Sequence, residues 1–214
     1  MEASFWHGRW ERNDIGFHEE EVNPLLVSNI GKLSLAAGSR VFVPLCGKTR
    51  DISWLLGHGY RVAGAELSGL AVDQLFADLG MEPQISTTGE LQHYQAPGID
   101  IFVGNIFDLS SNLLGHIDAI YDRAALVALP ETVRVQYASH LMALTSNAPQ
   151  LLICYVYDQA LMDGPPFSVP NESVNRYYKA RYDLTLLSSE DLPGGLKDKY
   201  KALENVWLLK KKAV

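Results

Sequence analysis

The chain has 214 residues, enough for one domain with its own core, and 47% of them are hydrophobic against 20% charged. A net charge of −7 excludes the broad basic face that nucleic-acid binding needs, and no apolar stretch reaches the roughly 18 residues of a membrane span. The only cysteines, Cys46 and Cys154, lie in apolar runs, and the N-terminus lacks signal-peptide regions, which together predict a reducing, cytoplasmic setting. Neither C-x-x-C nor H-x-x-x-H spacing occurs, so no metal site is expected.

Residues 1–30 are rich in aromatics and acids and read as helix, loop, helix, with Asn23-Pro24-Leu25-Leu26 in the second helix's first turns. Trp6 and Trp10 stand four apart and share a helix face. The segment is either a lid over a sheet edge or a ligand-contacting cover. From Arg40 strands and helices alternate. Val41 to Leu45 reads as a buried strand, because a continuous apolar run suits a parallel sheet covered on both faces. A helix over 49–58, a strand over 61–65 and a helix over 70–79 follow. The pattern then predicts a strand over 99–103 and another over 117–121, with Asp122-Arg123 just beyond it. Pro130 to Leu144 is the clearest helix, with Val133, Tyr137, Leu141 and Leu144 on one face. A strand over 151–157 precedes the loop Gly164-Pro165-Pro166-Phe167, and the runs 184–187 and 206–209 fit an antiparallel edge pair. A single α/β domain over 1–214 with a doubly wound, mostly parallel sheet is expected.

In such sheets ligands lie beyond the carboxyl ends of the strands, which directs attention to Leu45, Glu66, 105–108 and Asp122-Arg123. The turn after the first strand carries Gly47, and Glu66 closes the second strand about 20 residues later, as in a Rossmann-like unit whose acid binds a ribose. The turn lacks G-x-G-x-x-G, and Phe42 stands where a P-loop would need Gly. A nucleoside without pyrophosphate fits better, and S-adenosylmethionine (SAM) is the obvious candidate. Ile106 and Phe107 either sandwich its adenine or belong to the core. Arg123 either holds an anionic acceptor or pairs with Asp122 or Asp108. His18 as a base and Cys46 as a nucleophile are the weaker readings. A D-P-P-Y block after the fourth strand would point to amino-group methylation; Tyr121-Asp122-Arg123 stands there instead.

Several blocks together resemble the thiopurine S-methyltransferase family. They are Trp6-x3-Trp10-x6-Phe17-His18, Val43-Pro44-Leu45-Cys46-Gly47-Lys48, Gly64-Ala65-Glu66-Leu67-Ser68, Ile106-Phe107-Asp108-Leu109 and Asp122-Arg123-Ala124-Ala125-Leu126-Val127-Ala128. The Gly164-Pro165-Pro166-Phe167 loop and Val206-Trp207-Leu208-Leu209 extend the likeness over nearly the whole chain, and the short length resembles bacterial members. The resemblance implies a seven-stranded class I methyltransferase fold with a helical N-terminal cover over residues 1–30. It implies SAM contacts at Trp10, Leu45, Glu66, Ile106 and Arg123, with Arg123 also serving the chemistry. Phe17, with Trp6 beside it, would face a small-molecule thiol, and a monomer is expected. Mammalian members carry an Arg near the stretch 191–197; here Lys197 is the available cation. The alternatives are a class I methyltransferase for an oxygen or metalloid acceptor and a SAM-binding sensor.

Overall fold

In the computed structural model, which describes residues 3–213, the chain divides into two compact units, one ending at Ala119 and the other beginning at Ile120. The first unit opens with helices α1 (Ala3–Glu11) and α2 (Pro24–Asn29). Asn23 caps α2 by accepting from the Leu25 N–H at 2.9 Å, and Pro24 occupies the first turn, where its missing N–H costs nothing. Strands β1 (Arg40–Pro44), β2 (Arg61–Glu66) and β5 (Ile99–Val103) are almost wholly buried and pair in parallel, β1 with β2 and β2 with β5. Helices α3 (Arg50–Gly57) and α4 (Gly69–Leu79) pack on β2, each started by a side-chain cap, Thr49 and Ser68 respectively. Gly80 ends α4 in the left-handed conformation (φ 65°), the usual stop for a helix.

Two strands between α4 and β5 were not expected from the pattern. β3 (Gln84–Thr88) and β4 (Leu91–Ala96) form an antiparallel hairpin through Gly89-Glu90, and β4 pairs antiparallel with β5 through Pro97-Gly98. The first unit therefore has the strand order β3-β4-β5-β2-β1. A short helix α5 (Ser111–Leu114) follows β5.

Strand β6 (Ala119–Arg123) contributes all but its first residue to the second unit, and Asp122 and Arg123 are the strand's last residues rather than the loop beyond it. β6 pairs in parallel with β7 (Gln150–Val156), and β7 continues antiparallel to β9 (Leu203–Lys211), which pairs with β8 (Tyr182–Asp191). The order here is β6-β7-β9-β8, with a bulge between Leu186 and Ser188. The expected antiparallel pair is thus present and longer than the apolar runs suggested. Lys210 and Lys211 are the exposed last residues of β9. Helix α6 (Glu131–Leu144) buries Arg134, Tyr137, Ala138, Leu141 and Leu144. Arg134 takes the place expected of Val133 because its guanidinium finds partners inside, donating to the Leu129 and Ser168 carbonyls at 2.7 and 2.9 Å. Helix α7 (Asn171–Tyr178) had no expectation attached to it. The described residues hold nine strands instead of seven, the β3–β4 hairpin being additional to the family pattern.

Candidate functional site

The turn after β1 is built from a left-handed Leu45 (φ 48°) and a left-handed Gly47 (φ 52°) around Cys46. Leu45 tolerates a conformation that disfavours L-residues because bonds on both sides fix it. The Cys46 N–H extends the β1–β2 ladder to the Ala65 carbonyl at 3.0 Å, and the Gly47 N–H donates to Glu66 Oε2 at 2.8 Å. Glu66 Oε1 accepts from the Ser68 N–H at 2.9 Å. This carboxylate is 6% exposed, and burial raises its pKa against the lowering effect of the Ser68, Gly47 and Leu67 amides. Its oxygens retain lone pairs beyond those two bonds, which is what a ribose diol requires.

Two glycines mark close approaches. A Cβ on Gly64 would lie 2.6 Å from Ile101 Cδ1 and 3.0 Å from Cys46 Sγ, so a larger residue would force those side chains to move where β2 passes under the turn. A Cβ on Gly47 would lie 3.1 Å from the Trp10 ring. Trp10 is buried, and its ring and that of Trp6 both meet Phe17 edge-on, with centroids 5.6 and 5.7 Å away. Arg9 lies over Phe17 at 5.3 Å and is tied to Asp14, while the Asn23 N–H donates to the buried Asp51 of α3 at 2.8 Å. The aromatic segment is therefore seated on the glycine turn. Beyond β5, the Gly104 N–H donates to the Glu66 carbonyl at 2.8 Å, and a 3-10 turn (Ile106–Asp108) capped by Asn105 buries Ile106. The structure thus gathers Trp6, Trp10, Phe17, Leu45 and Glu66 around one turn and sets Ile106 three residues past the end of β5.

Within the second unit, Asp122 is 0% exposed. Its Oδ1 accepts from the Leu126 N–H at 3.1 Å and its Oδ2 from the Tyr137 hydroxyl at 2.8 Å. Burial pushes its pKa up to about 6, with the Leu126 amide, Tyr137 and the Ala125 amide pulling the other way. Arg123 follows, half-buried, and Ala124 turns the chain in a left-handed conformation (φ 64°). Lys197, also left-handed (φ 53°), lines a cleft of about 360 Å³ with Met162, Asp163, Gly164 and Tyr200. A Cβ on Gly164 would lie 2.6 Å from the Phe167 ring, whose other neighbour is the Arg134 guanidinium at 5.6 Å. The Gly164-Pro165-Pro166-Phe167 block is thereby a clamped loop, and the Phe167 N–H ties it to the Val127 carbonyl at 2.7 Å.

The remaining candidates separate on physical grounds. Burial, with Glu66 adding to it, raises the Cys46 thiol well above its ordinary range, and burial does the same at Cys154. Both stay protonated at neutral pH and make poor nucleophiles. Burial and then Lys48 lower the pKa of His18, so its imidazole is neutral near pH 7. Among the described residues no three His, Cys, Asp or Glu gather as metal ligands, and no helix is long and apolar enough to cross a membrane. Tyr137 and Arg134 went unrecognised in the sequence as site-building residues. The available signal was Asp122 itself, an acid ending an apolar strand that needs a buried donor.

A parallel βαβ unit with a glycine turn, a buried acid ending β2 and no phosphate-binding loop defines a class I SAM-dependent methyltransferase fold. Solved structures agree on the fold. A SAM-dependent methyltransferase from Anabaena variabilis superposes with a TM-score of 0.65 at 14% identity, covering 98% of this chain and 95% of that one. A Burkholderia thailandensis 1,6-didemethyltoxoflavin-N1-methyltransferase, solved with 1,6-didemethyltoxoflavin and S-adenosylhomocysteine, gives 0.65 at 14%, covering 98% and 87%. The family description thiopurine S-methyltransferase (TPMT) matches residues 1–212. The thiopurine S-methyltransferase of Xanthobacter autotrophicus is 55% identical over 99% of this chain and 100% of that protein. That of Gluconobacter oxydans is 51% identical over 96% and 93%. The chain belongs to the thiopurine S-methyltransferase family.

Proposed function

We propose that this chain transfers a methyl group from SAM to the sulfur of aromatic and heteroaromatic thiols, thiopurines among them, and to selenium compounds of similar acidity. The observation that carries the reading is the buried Glu66 carboxylate, which braces the Gly47 turn and still offers acceptor positions to a ribose. Family membership over residues 1–212 supports the same donor. Trp10, Leu45, Glu66, Ile106 and Arg123 would hold SAM, which supplies a methyl group already activated on a positively charged sulfur. Phe17 and Trp6 would exclude water from the reacting atoms, and Lys197 would receive the acceptor.

Alignment is then the protein's main task. Holding the reacting atoms about 3–3.5 Å apart accounts for about 7–11 kcal/mol of barrier. Aromatic thiols are acidic enough to arrive as thiolates, their proton left to solvent, so no strong base is required. Direct transfer also agrees with two cysteines that burial keeps protonated. Arg123 would favour the thiolate by its fixed charge. The reading extends to a monomer in the cytoplasm, where two buried free cysteines are stable. Labelled SAM offered with aromatic thiols, selenols and phenols tests it. Label should pass to sulfur and selenium; transfer to phenols alone, or SAM binding with no product, would refute it.

A further inference from the structure

We infer that Tyr137 is a positioning residue for Arg123, acting through the buried Asp122 carboxylate to fix the turn that carries the arginine. The inference rests on the proposed role of Arg123 toward the acceptor. Asp122 and Arg123 are consecutive on β6, so they project to opposite faces of the strand. Asp122 turns inward and closes the turn that follows it, with Oδ1 taking the Leu126 N–H at 3.1 Å. Between them the chain passes through Ala124 at φ 64°, a conformation that costs a non-glycine residue on the order of 1 kcal/mol and persists only where its surroundings hold it. The carboxylate is one such restraint, but both ends of its Leu126 bond belong to the same turn. The Tyr137 hydroxyl, reaching Oδ2 at 2.8 Å from helix α6, ties the carboxylate itself to a separate rigid element, while Arg134 of the same helix holds the Leu129 carbonyl further along. Tyr137 is fully buried, and the proposed transfer does not otherwise use its hydroxyl.

The chemistry makes this linkage consequential. A fixed positive charge favours a developing or resting thiolate only while it stays in register with the sulfur, and displacement by about 1 Å can cost on the order of 10²-fold in rate. Removing the Tyr137 hydroxyl leaves the ring packing intact and frees the turn to shift.

A double-mutant cycle tests the inference with the full-length protein, using one weakly acidic and one strongly acidic aromatic thiol. Tyr137→Phe should lower kcat by about tenfold or more for the weakly acidic thiol, as befits a positioning defect. The strongly acidic thiol should be affected less. In the Arg123→Ala background the same substitution should change nothing further, because the group it positions is gone. Equal losses in both backgrounds mean a merely structural role and overturn the inference, as does a Tyr137→Phe enzyme with wild-type kcat. If Arg123→Ala itself keeps full activity on both thiols, the reading of Arg123 fails, and the inference with it. An impaired Arg123→Ala beside an unimpaired Tyr137→Phe removes the inference alone. Should Tyr137→Phe not fold, Asp122→Asn carries the same cycle: its amide keeps an acceptor for Leu126 and loses the charge that Tyr137 binds.

Discussion

Replacing Glu66 by glutamine changes few atoms and should change much. Each carboxylate oxygen takes a backbone N–H, from Gly47 at 2.8 Å and from Ser68 at 2.9 Å. A glutamine offers one oxygen and one NH2, so one of those two amides must face a donor instead of an acceptor. A hydrogen bond to a charged group contributes about 1.5–3 kcal/mol, and a buried donor left without its partner costs a similar amount. Burial of the carboxylate raises its pKa, so part of that gain is already offset by desolvation. Glu66→Gln should therefore weaken SAM binding by roughly 10- to 100-fold, about 1.4–2.7 kcal/mol in calorimetry. In a chain of this size a loss of that order lowers the melting temperature by about 3–11 °C. Glu66→Ala leaves both amides unsatisfied and should lose more on both measures. Because the native pKa of Glu66 is raised, wild-type SAM affinity should fall as pH drops through that raised value. The glutamine variant should show no such dependence. A Glu66→Gln protein with wild-type SAM affinity and an unchanged pH profile would refute the reasoning.

The other predictions rest on Asp122, the cysteines and the N-terminal cover. Burial pushes the Asp122 pKa up to about 6 from the ordinary 3.8, so between roughly pH 4 and 6 the folded state binds more protons than the unfolded. Stability should thus fall as pH rises through that window, by about 3 kcal/mol in total at about 1.4 kcal/mol per unit, and stay flat above it. Urea melts of Asp122→Asn should lack this slope; identical slopes in both proteins would contradict the assignment. Cys46→Ala combined with Cys154→Ala should keep most of the kcat, and a folded, SAM-binding but inactive variant would point to a covalent relay. Deleting residues 1–20 removes Trp10 from the Gly47 turn and should leave a folded protein with greatly reduced SAM binding and turnover. Full-rate methylation by the truncated protein would show that the cover is dispensable.

Much of the first unit was legible because its signals are local. The apolar runs of β1, β2 and β5 each act within a few residues of where they are read. The β3–β4 hairpin escaped because it covers little: every β3 residue but Thr88 is exposed, Ile85 to 55%, and β4 is mostly polar. Its turn residues Gly89 and Pro97-Gly98 were present, but no apolar alternation joined them. Helix α7 escaped for a related reason, since it buries only Val174, Tyr177 and Tyr178 in a polar segment. At the site, Glu66 and the aromatic cover were found from spacing and resemblance. The role of Tyr137 was not, because its partner lies fifteen residues away across a turn. Periodicity reports which face of α6 is buried and says nothing of what a hydroxyl on that face will meet.

Glu66 and Asp122, one in each unit, are alike in a way that bears on substitutions at either. Both are acids ending parallel strands, both are buried, and both spend an oxygen on an amide of the turn that follows their own strand: Ser68 for one, Leu126 for the other. Each spends its second oxygen on a different element, Glu66 on the Gly47 turn and Asp122 on Tyr137 of α6. The fold thus uses a carboxylate twice as a two-armed brace, and the exits of β2 and β6 are shaped by it before any ligand arrives. A loss of activity on removing Glu66 would therefore have two sources, the proposed ligand contact and the brace, whereas one on removing Asp122 would come through the brace alone. Glutamine or asparagine separates them better than alanine, because it keeps one arm while altering the other. At Glu66 a variant that melts lower but binds SAM normally assigns the residue to the brace alone. At Asp122 the Tyr137→Phe substitution isolates the outer arm, and whether its effect disappears when Arg123 is absent decides what that arm is for.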